Sequence, residues 1–130
     1  MPVEIPESHK DLLKRPLIAA LATTMPDGTP QVTAVWFNYA DGLIYFNSAR
    51  GRVKDRNIRA RPYVAMMVYD PQSPTRYIQI RGPIIEQDEE HGPEHIDFLS
   101  RRYDGKPWTP VPGQRRVRYA LRPERVDTHT

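Results

Sequence analysis

The residues best suited to chemistry lie in one short basic run. Between Arg50 and Arg61 the chain carries six basic side chains and a single acid, a local charge of +5 in twelve residues. The run follows small polar residues at the end of a predicted strand, and Gly51 provides a hinge before a predicted helix. A strand end that opens into a helix offers free backbone N–H groups and the positive end of the helix dipole. With Arg and Lys added, these groups predict an anion site, and phosphate is the expected anion.

Helical spacing divides this run into two stripes. At about 100° per residue, one stripe holds Arg50, Lys54, Asn57 and Arg61, and the other holds Arg52, Arg56 and Arg59. The simplest alternative to an anion site is a solvated helix face. A nucleic-acid interface is disfavoured, because the total charge is +3 and the remainder of the chain therefore carries −2.

A second group of residues lies on the neighbouring predicted strands. Aromatic side chains occur at Trp36, Phe37, Tyr39, Tyr45 and Phe46. Strand alternation sends half of them to each face, so core packing explains most of them. Gln31 and Thr33 share a face and form a polar pair that could hydrogen-bond a heterocycle.

Two further patterns are weaker. His91 and His95 have a spacing that can bind metal on one helical face, but Gly92 and Pro93 interrupt the helix between them. The acids from Asp88 to Glu90 are better explained as the acidic start of a helix than as an acid–base pair. We therefore predict no metal site, and the catalytic residues stay unassigned.

Short strands must position these residues. Strands are predicted at 17–24, 30–39, 43–49, 62–70 and 76–87, helices at 6–15, 50–60 and 88–103, and one or two strands within 115–128. Hairpin signals follow each other along the chain, and Gly82-Pro83 indicates a bulge or an edge position. About six strands with alternating faces and three helices predict one mainly β domain of 1–130, a small antiparallel barrel.

Composition narrows the class of protein. The chain has 130 residues, 14 prolines and no cysteine, so disulfide frameworks and thiolate metal sites are excluded. No apolar run reaches the roughly 20 residues of a membrane span. The first residues, MPVEIPESHK, lack the apolar segment of a secretory signal, so a cytoplasmic location is expected.

Four segments carry a resemblance to a known family. In chain order they read LATTMPDGTPQVTAVWF, NSARGRVKDRN, DPQSPTRYIQIRG and RRVRYALRPERV. This pattern, from about Leu12 to Val126, resembles the pyridoxamine 5′-phosphate oxidase-like superfamily, also described as the FMN-binding split barrel. More closely it resembles the branch that binds the deazaflavin coenzyme F420. The resemblance implies a six-stranded antiparallel split β-barrel and a homodimer with two cofactor sites in grooves between the subunits.

The resemblance also implies which residues touch the cofactor. Its phosphate would lie against Asn47, Ser48, Ala49, Arg50, Arg52, Lys54 and Asn57. Its ring would lie against Pro30, Gln31, Val32 and Thr33, and the second subunit would close the groove with Arg76 and Tyr77.

The expected function is that of an F420-dependent oxidoreductase that transfers a hydride to or from a small conjugated organic substrate. FMN is the alternative cofactor, since both cofactors present a phosphate near the ring. A non-catalytic F420 carrier is the alternative from a different class. The C-terminal substrate residues of the vitamin-oxidising members have no match here, which disfavours pyridoxamine phosphate as the substrate.

Overall fold

Eight antiparallel strands and three α-helices make up the computed structural model, which describes residues 3–130. The strands are β1 (Ala19–Thr24), β2 (Pro30–Val35), β3 (Phe37–Ala40), β4 (Leu43–Ala49), β5 (Tyr63–Asp70), β6 (Ser73–Asp88), β7 (Arg116–Leu121) and β8 (Arg125–His129). The helices are α1 (Lys10–Lys14), preceded by one 3-10 turn at Glu7–His9, α2 (Val53–Ala60) and α3 (Gly92–Asp104). None of the helices within residues 3–130 is long and apolar enough to cross a membrane.

The 16-residue strand β6 joins the two halves of the barrel. The strand order is β2-β1-β5-β6-β7-β4-β3, and β8 also pairs with β6. The first half of β6 pairs with β5 and β8, and the second half pairs with β7. The register shifts between Ile84 and Glu86, close to the predicted bulge at Gly82-Pro83. A Cβ atom on Gly82 would overlap the carbonyl oxygen of Arg122, so the backbones meet here without room for a side chain.

The predicted fold class, a mainly β antiparallel split barrel with three helices, is confirmed, but the strands number eight rather than six. The strand expected at 30–39 breaks at Trp36, whose ring turns out of the sheet and stacks on Tyr103 with 5.2 Å between centroids. The C-terminal segment divides into two strands around Pro123, where the chain passes from β7 to β8.

Two predicted helices begin later than expected. The second starts at Val53 rather than Arg50, because Gly51 adopts a φ of +91° and turns the chain first. The third starts at Gly92 rather than Asp88. Asp88 is still paired with β7, and its carboxylate accepts a hydrogen bond from the backbone N–H of His91 at 2.9 Å.

Apolar side chains from both halves of the barrel fill one core. Alternate residues of the strands point inward, and Leu12 and Leu13 of α1 are fully buried against them. The largest pair is Phe46 and Tyr119, which stack at 5.0 Å on the adjacent strands β4 and β7.

A buried carboxylate fixes the start of α2 against this core. The Asp55 side chain is fully buried and accepts hydrogen bonds from the Tyr119 hydroxyl at 2.6 Å, the Arg50 Nη1 at 2.9 Å and the Gly51 N–H at 2.9 Å. Burial raises the pKa of Asp55, but these three donors outweigh burial and hold it below its ordinary value. The carboxylate therefore connects the end of β4, the turn, α2 and β7.

We expect Asp55→Asn to lower the free energy of unfolding by about 3 kcal/mol, because it removes the buried partner of Arg50, which then keeps only the more distant Glu89 carboxylate at 3.4 Å. The loss should be measured by urea unfolding at pH 7. In the wild type this contribution is complete above the unfolded-chain pKa of about 3.9 and declines as pH falls through the lower folded-state pKa. Glu7→Gln removes the exposed pair with Lys10 and should leave the free energy of unfolding nearly unchanged. Equal losses of stability in Asp55→Asn and Glu7→Gln would contradict the role of the buried Asp55 carboxylate in fixing the start of α2.

Candidate functional site

A cleft of about 340 Å³ opens beside the start of α2. One wall is apolar and comes from Ile18, Trp36, Ile96 and Leu99. The opposite side is polar and comes from Asn47, Arg52, Lys54 and Arg116, with Trp108 from the loop before β7 beside them. The cleft therefore combines a cationic end with walls that could accept a planar, largely apolar group.

Three cations meet in this cleft without an acid. Among residues 3–130, the structure gives Arg52, Lys54 and Arg116 no carboxylate within ion-pair distance. Burial, together with the charges of Arg52 and Arg116, lowers the pKa of Lys54. Burial and the charge of Arg52 lower the pKa of Arg116 to about 10. Like charges held together in this way favour a bound anion, which would remove their repulsion.

The backbone at this end of α2 supports the same conclusion. Arg52 occupies the N-cap position in extended conformation, and no side chain caps the helix. The first-turn N–H groups and the helix dipole therefore add positive potential beside the three side chains. Because Arg52 precedes the helix, its side chain and that of Lys54 reach the same cleft, although a helical wheel assigns them to opposite stripes.

Sequence reasoning missed Arg116 and Trp108. The Arg116 guanidinium lies over the Trp108 ring at 5.1 Å, and its Nε donates to Asn47 Oδ1 at 2.9 Å. The signal was present in the RRVR segment, but the pairing of Arg116 with Ala49 across β7 and β4 was needed to place it. Long-range register of this kind is not visible in local patterns.

Several residues predicted to touch the phosphate do not line this cleft. Arg50 is directed to Asp55 and to Gln87 and Glu89 at 3.3–3.4 Å, so its charge is compensated. Asn57 is buried and donates to Thr23, which in turn donates to Gln31. Ser48 and Ala49 are buried in β4 and do not line the cleft, and the Ser48 hydroxyl has no hydrogen-bond partner among the described residues. Of the predicted phosphate contacts, the structure brings Asn47, Arg52 and Lys54 together.

The predicted ring contacts lie along the edge strand β2. Val32 is 64% exposed on the outer face of the sheet, while Gln31 is turned the other way toward Thr23. Thr33 lines a shallow depression with Val32, and Pro30 is the exposed first residue of the strand. Within residues 3–130, β2 pairs only with β1, so half of its backbone groups face away from the sheet.

An apolar outer face extends from this edge across the sheet. Two adjoining depressions of about 330 and 390 Å³ are lined by side chains of β1, β2, β5 and β6, including Ala20, Val32, Met67 and Tyr77. Tyr77 also stacks on His129 at 5.4 Å. The neighbouring Arg76 binds Asp11 in the N-terminal segment and Asp70 at the end of β5, and it donates to the Ser8 carbonyl at 2.7 Å.

His91, which precedes α3, and His95, which lies within α3, have separate partners. His91 contacts the Asp88 carboxylate at 2.7 Å, and that carboxylate raises the pKa of His91. His95 is buried between Asn47 and Asn38. Within residues 3–130, no group of three or more His, Cys, Asp or Glu side chains is arranged to hold a metal ion. Glu89 and Asp88 form ion pairs with arginines at the surface.

Fold and cleft together define an antiparallel split barrel with a cationic cleft at the start of its second helix. The chain belongs to the pyridoxamine 5′-phosphate oxidase family, whose model matches residues 5–130. A sequence search of curated proteins gives no match.

Solved structures share this fold. An F420 reductase is 40% identical with a TM-score of 0.86, over 95% of this chain and 98% of that chain. A conserved hypothetical protein from Mycobacterium tuberculosis is 25% identical with a TM-score of 0.76, over 98% of this chain and 86% of that one. The general stress protein 26 of Bacillus anthracis, at 17% identity and a TM-score of 0.73 over 95% and 92% of the two chains, shares the fold.

We expect sulfate to stabilise the wild type more than Lys54→Ala. An anion at 100 times its Kd adds about 2.7 kcal/mol to the free energy of unfolding, and a tenfold weaker site loses about 1.4 kcal/mol of this gain. This gain in the free energy of unfolding is measured by urea unfolding in sulfate and in chloride of equal ionic strength. The general effect of sulfate on folding is common to both proteins and cancels in the comparison. In chloride alone, Lys54→Ala should be at least as stable as the wild type, since it relieves the repulsion between the three cations. Equal gains in sulfate would contradict an anion site at Lys54.

Proposed function

We propose that the protein is an F420-dependent oxidoreductase that transfers a hydride between the deazaflavin and a small conjugated organic substrate. The observation that carries this proposal is the cluster of three cations without an acid, placed at the end of an apolar cleft beside the free edge of β2. The 40% identity to an F420 reductase over nearly the whole of both chains supports deazaflavin rather than another cofactor.

The residues of the cleft fit such a group. Arg52, Lys54 and Arg116 would hold its phosphate, and Asn47 would keep Arg116 in place. Trp36 and the exposed edge of β2, which includes Ala34, would lie along the ring. When bound, the deazaflavin supplies the hydride chemistry.

The chain's own residues position the cofactor and exclude water. The apolar wall of Ile18, Ile96 and Leu99 lowers the local dielectric constant, which strengthens the attraction between the cations and a phosphate. The titratable groups in the cleft are the three cations, and we assign each of them to holding the phosphate. We therefore assign positioning and desolvation to the protein and no acid–base role.

We further propose a homodimer that buries the apolar outer face. Val32, Met67 and Tyr77 lie on this face with small alanines between them, so a second copy can approach closely. A contiguous apolar face of this kind marks an interaction surface. The face adjoins the cleft through Ile18 and Ala34, so a second subunit placed there would also close the cofactor groove, with Arg76 and Tyr77 as its predicted contacts.

Two alternatives have specific discriminators. An FMN-dependent enzyme would use the same cations, because both cofactors carry a phosphate near the ring. A non-catalytic F420 carrier remains an alternative because no catalytic acid or base is assigned in the cleft. Binding of F420 but not of FMN would exclude an FMN-dependent enzyme. Turnover of conjugated substrates by reduced F420 would exclude a non-catalytic carrier.

We expect Lys54→Ala to weaken F420 binding about ten- to a hundred-fold in calorimetric titration. The change removes a charged hydrogen bond to phosphate, worth roughly 1.5–3 kcal/mol. The fold should be unaffected, because Lys54 has no protein partner among the described residues.

Arg59→Ala is the matched control for this experiment. Arg59 lies on the same helix but is directed to Asp55 at 3.5 Å, outside the cleft. The Arg59→Ala variant should bind F420 with the same affinity as the wild type. Wild-type affinity in Lys54→Ala would remove the phosphate assignment and with it the case for this cofactor.

We expect the wild type to sediment as two chains and Val32→Lys to sediment as one at micromolar concentration. A lysine on this exposed position would be desolvated in the interface without a counter-charge. Ile85→Lys, at a 47% exposed apolar position on the other half of β6, is the control and should stay dimeric. A monomeric wild type would remove the second wall of the groove.

A further inference from the structure

Asn47 lies behind the cation cluster and has three hydrogen-bond partners. Its Nδ2 donates to the Gly92 carbonyl at 3.0 Å and to His95 Nδ1 at 3.1 Å, and its Oδ1 accepts from Arg116 Nε at 2.9 Å. The Gly92 carbonyl can only accept, and Arg116 Nε can only donate. These two partners fix the orientation of the Asn47 amide.

The amide orientation in turn fixes the protonation of His95. Because Asn47 Nδ2 donates to Nδ1, that nitrogen carries no proton. The imidazole is therefore neutral, with its proton on Nε2, which donates to Asn38 Oδ1 at 2.8 Å.

The surroundings of His95 favour this neutral form. Burial, followed by the charges of Arg118 and Arg116 on β7, lowers the pKa of His95 to about 4. The other groups that face the ring are Tyr45 of β4 and Phe98 of α3, with centroids at 6.3 and 6.4 Å. No carboxylate lies within ion-pair distance of His95 among the described residues.

A proton on His95 Nδ1 would oppose the Asn47 amide. Two donors would then face each other, and relief requires the amide to rotate and present Oδ1 to the imidazolium. That rotation places Nδ2 against Arg116 Nε, so Arg116 loses its acceptor. Its remaining anchors are the Gln114 side chain, at 3.3 Å from Nη1, and the face of Trp108.

We propose that His95 is a positioning residue of the anion site, which holds the Arg116 guanidinium in the cleft through Asn47 and releases it when the imidazole is protonated. The proposal rests on the proposed function in one respect, that an anion binds at Arg52, Lys54 and Arg116. His95 does not line the cleft and acts only through Asn47.

The variant Asn38→Asp tests the proposal without removing the imidazole. A carboxylate at this half-buried position accepts the hydrogen bond from Nε2–H and stabilises the charged ring, so the pKa of His95 should rise to its ordinary value of about 6.5 or above. The transition then falls in a pH range that a folded protein tolerates. Sulfate is the probe, because it keeps both negative charges from pH 4 upward.

We expect Asn38→Asp to bind sulfate about tenfold more weakly at pH 5 than at pH 7, the effect of loosening one charged hydrogen bond. The wild type should bind equally at the two pH values and weaken only near pH 4. The ring ¹⁵N shifts of His95 report its protonation, and the Arg116 Nε–H resonance should shift together with it. A purely structural histidine would change stability but would not couple these two signals to sulfate affinity.

The double variant Asn38→Asp/His95→Leu is the control and should lose the pH dependence. Equal sulfate affinity of Asn38→Asp at pH 5 and pH 7, with His95 protonated at pH 5, overturns the proposal. A His95 that stays neutral at pH 5 in this variant also overturns it, because the bond from Nε2 to Asn38 is then absent. If the wild type and Lys54→Ala bind sulfate equally at pH 7, the anion site itself fails, and the proposed function fails with it.

Discussion

The buried carboxylate of Asp55 is the interaction on which the rest of the site depends. Its three donors come from the end of β4, the following turn and β7, so the first turn of α2 can begin in only one place. Arg50 is bound in this network and turned away from the cleft. Arg52 and Lys54, two and four residues further along, lie in the cleft without counter-ions. Asp55, together with Glu89, therefore compensates Arg50, while Arg52 and Lys54 stay available.

The uncompensated charges repel one another, and a bound anion would remove this repulsion. Holding Arg52, Lys54 and Arg116 together in a partly buried cleft lowers the pKa values of Lys54 and Arg116. A protein without a ligand for this cleft would be more stable with one of them replaced. Their arrangement beside an apolar wall is consistent with a molecule that has an anionic end and a planar, weakly polar body, which is the shape of a flavin-like cofactor.

Local patterns predicted much of the fold and part of the site. The hairpin order, the turn at Gly51 and the contribution of Asn47, Arg52 and Lys54 follow from residues close together in sequence. The helical wheel grouped Arg50 with Lys54 because it started the helix three residues too early, before the turn that Gly51 makes. Arg116 was missed since its place depends on the pairing of β7 with β4. The sequence predicted that Trp36 continues a strand. In the structure its ring stacks on Tyr103 of α3, which is distant in sequence.

The shared strand β6 has a consequence for how the molecule opens. Its first half belongs to the sheet that carries β1, β2, β5 and β8, and its second half to the sheet that carries β3, β4 and β7. Neither sheet can separate from the other without breaking the ladder of the same strand. The two halves should therefore behave as one cooperative unit in hydrogen exchange, and the central amides of β6 should exchange only through global unfolding. Because β6 also brings distant segments together, folding should be slow relative to helical proteins of this length.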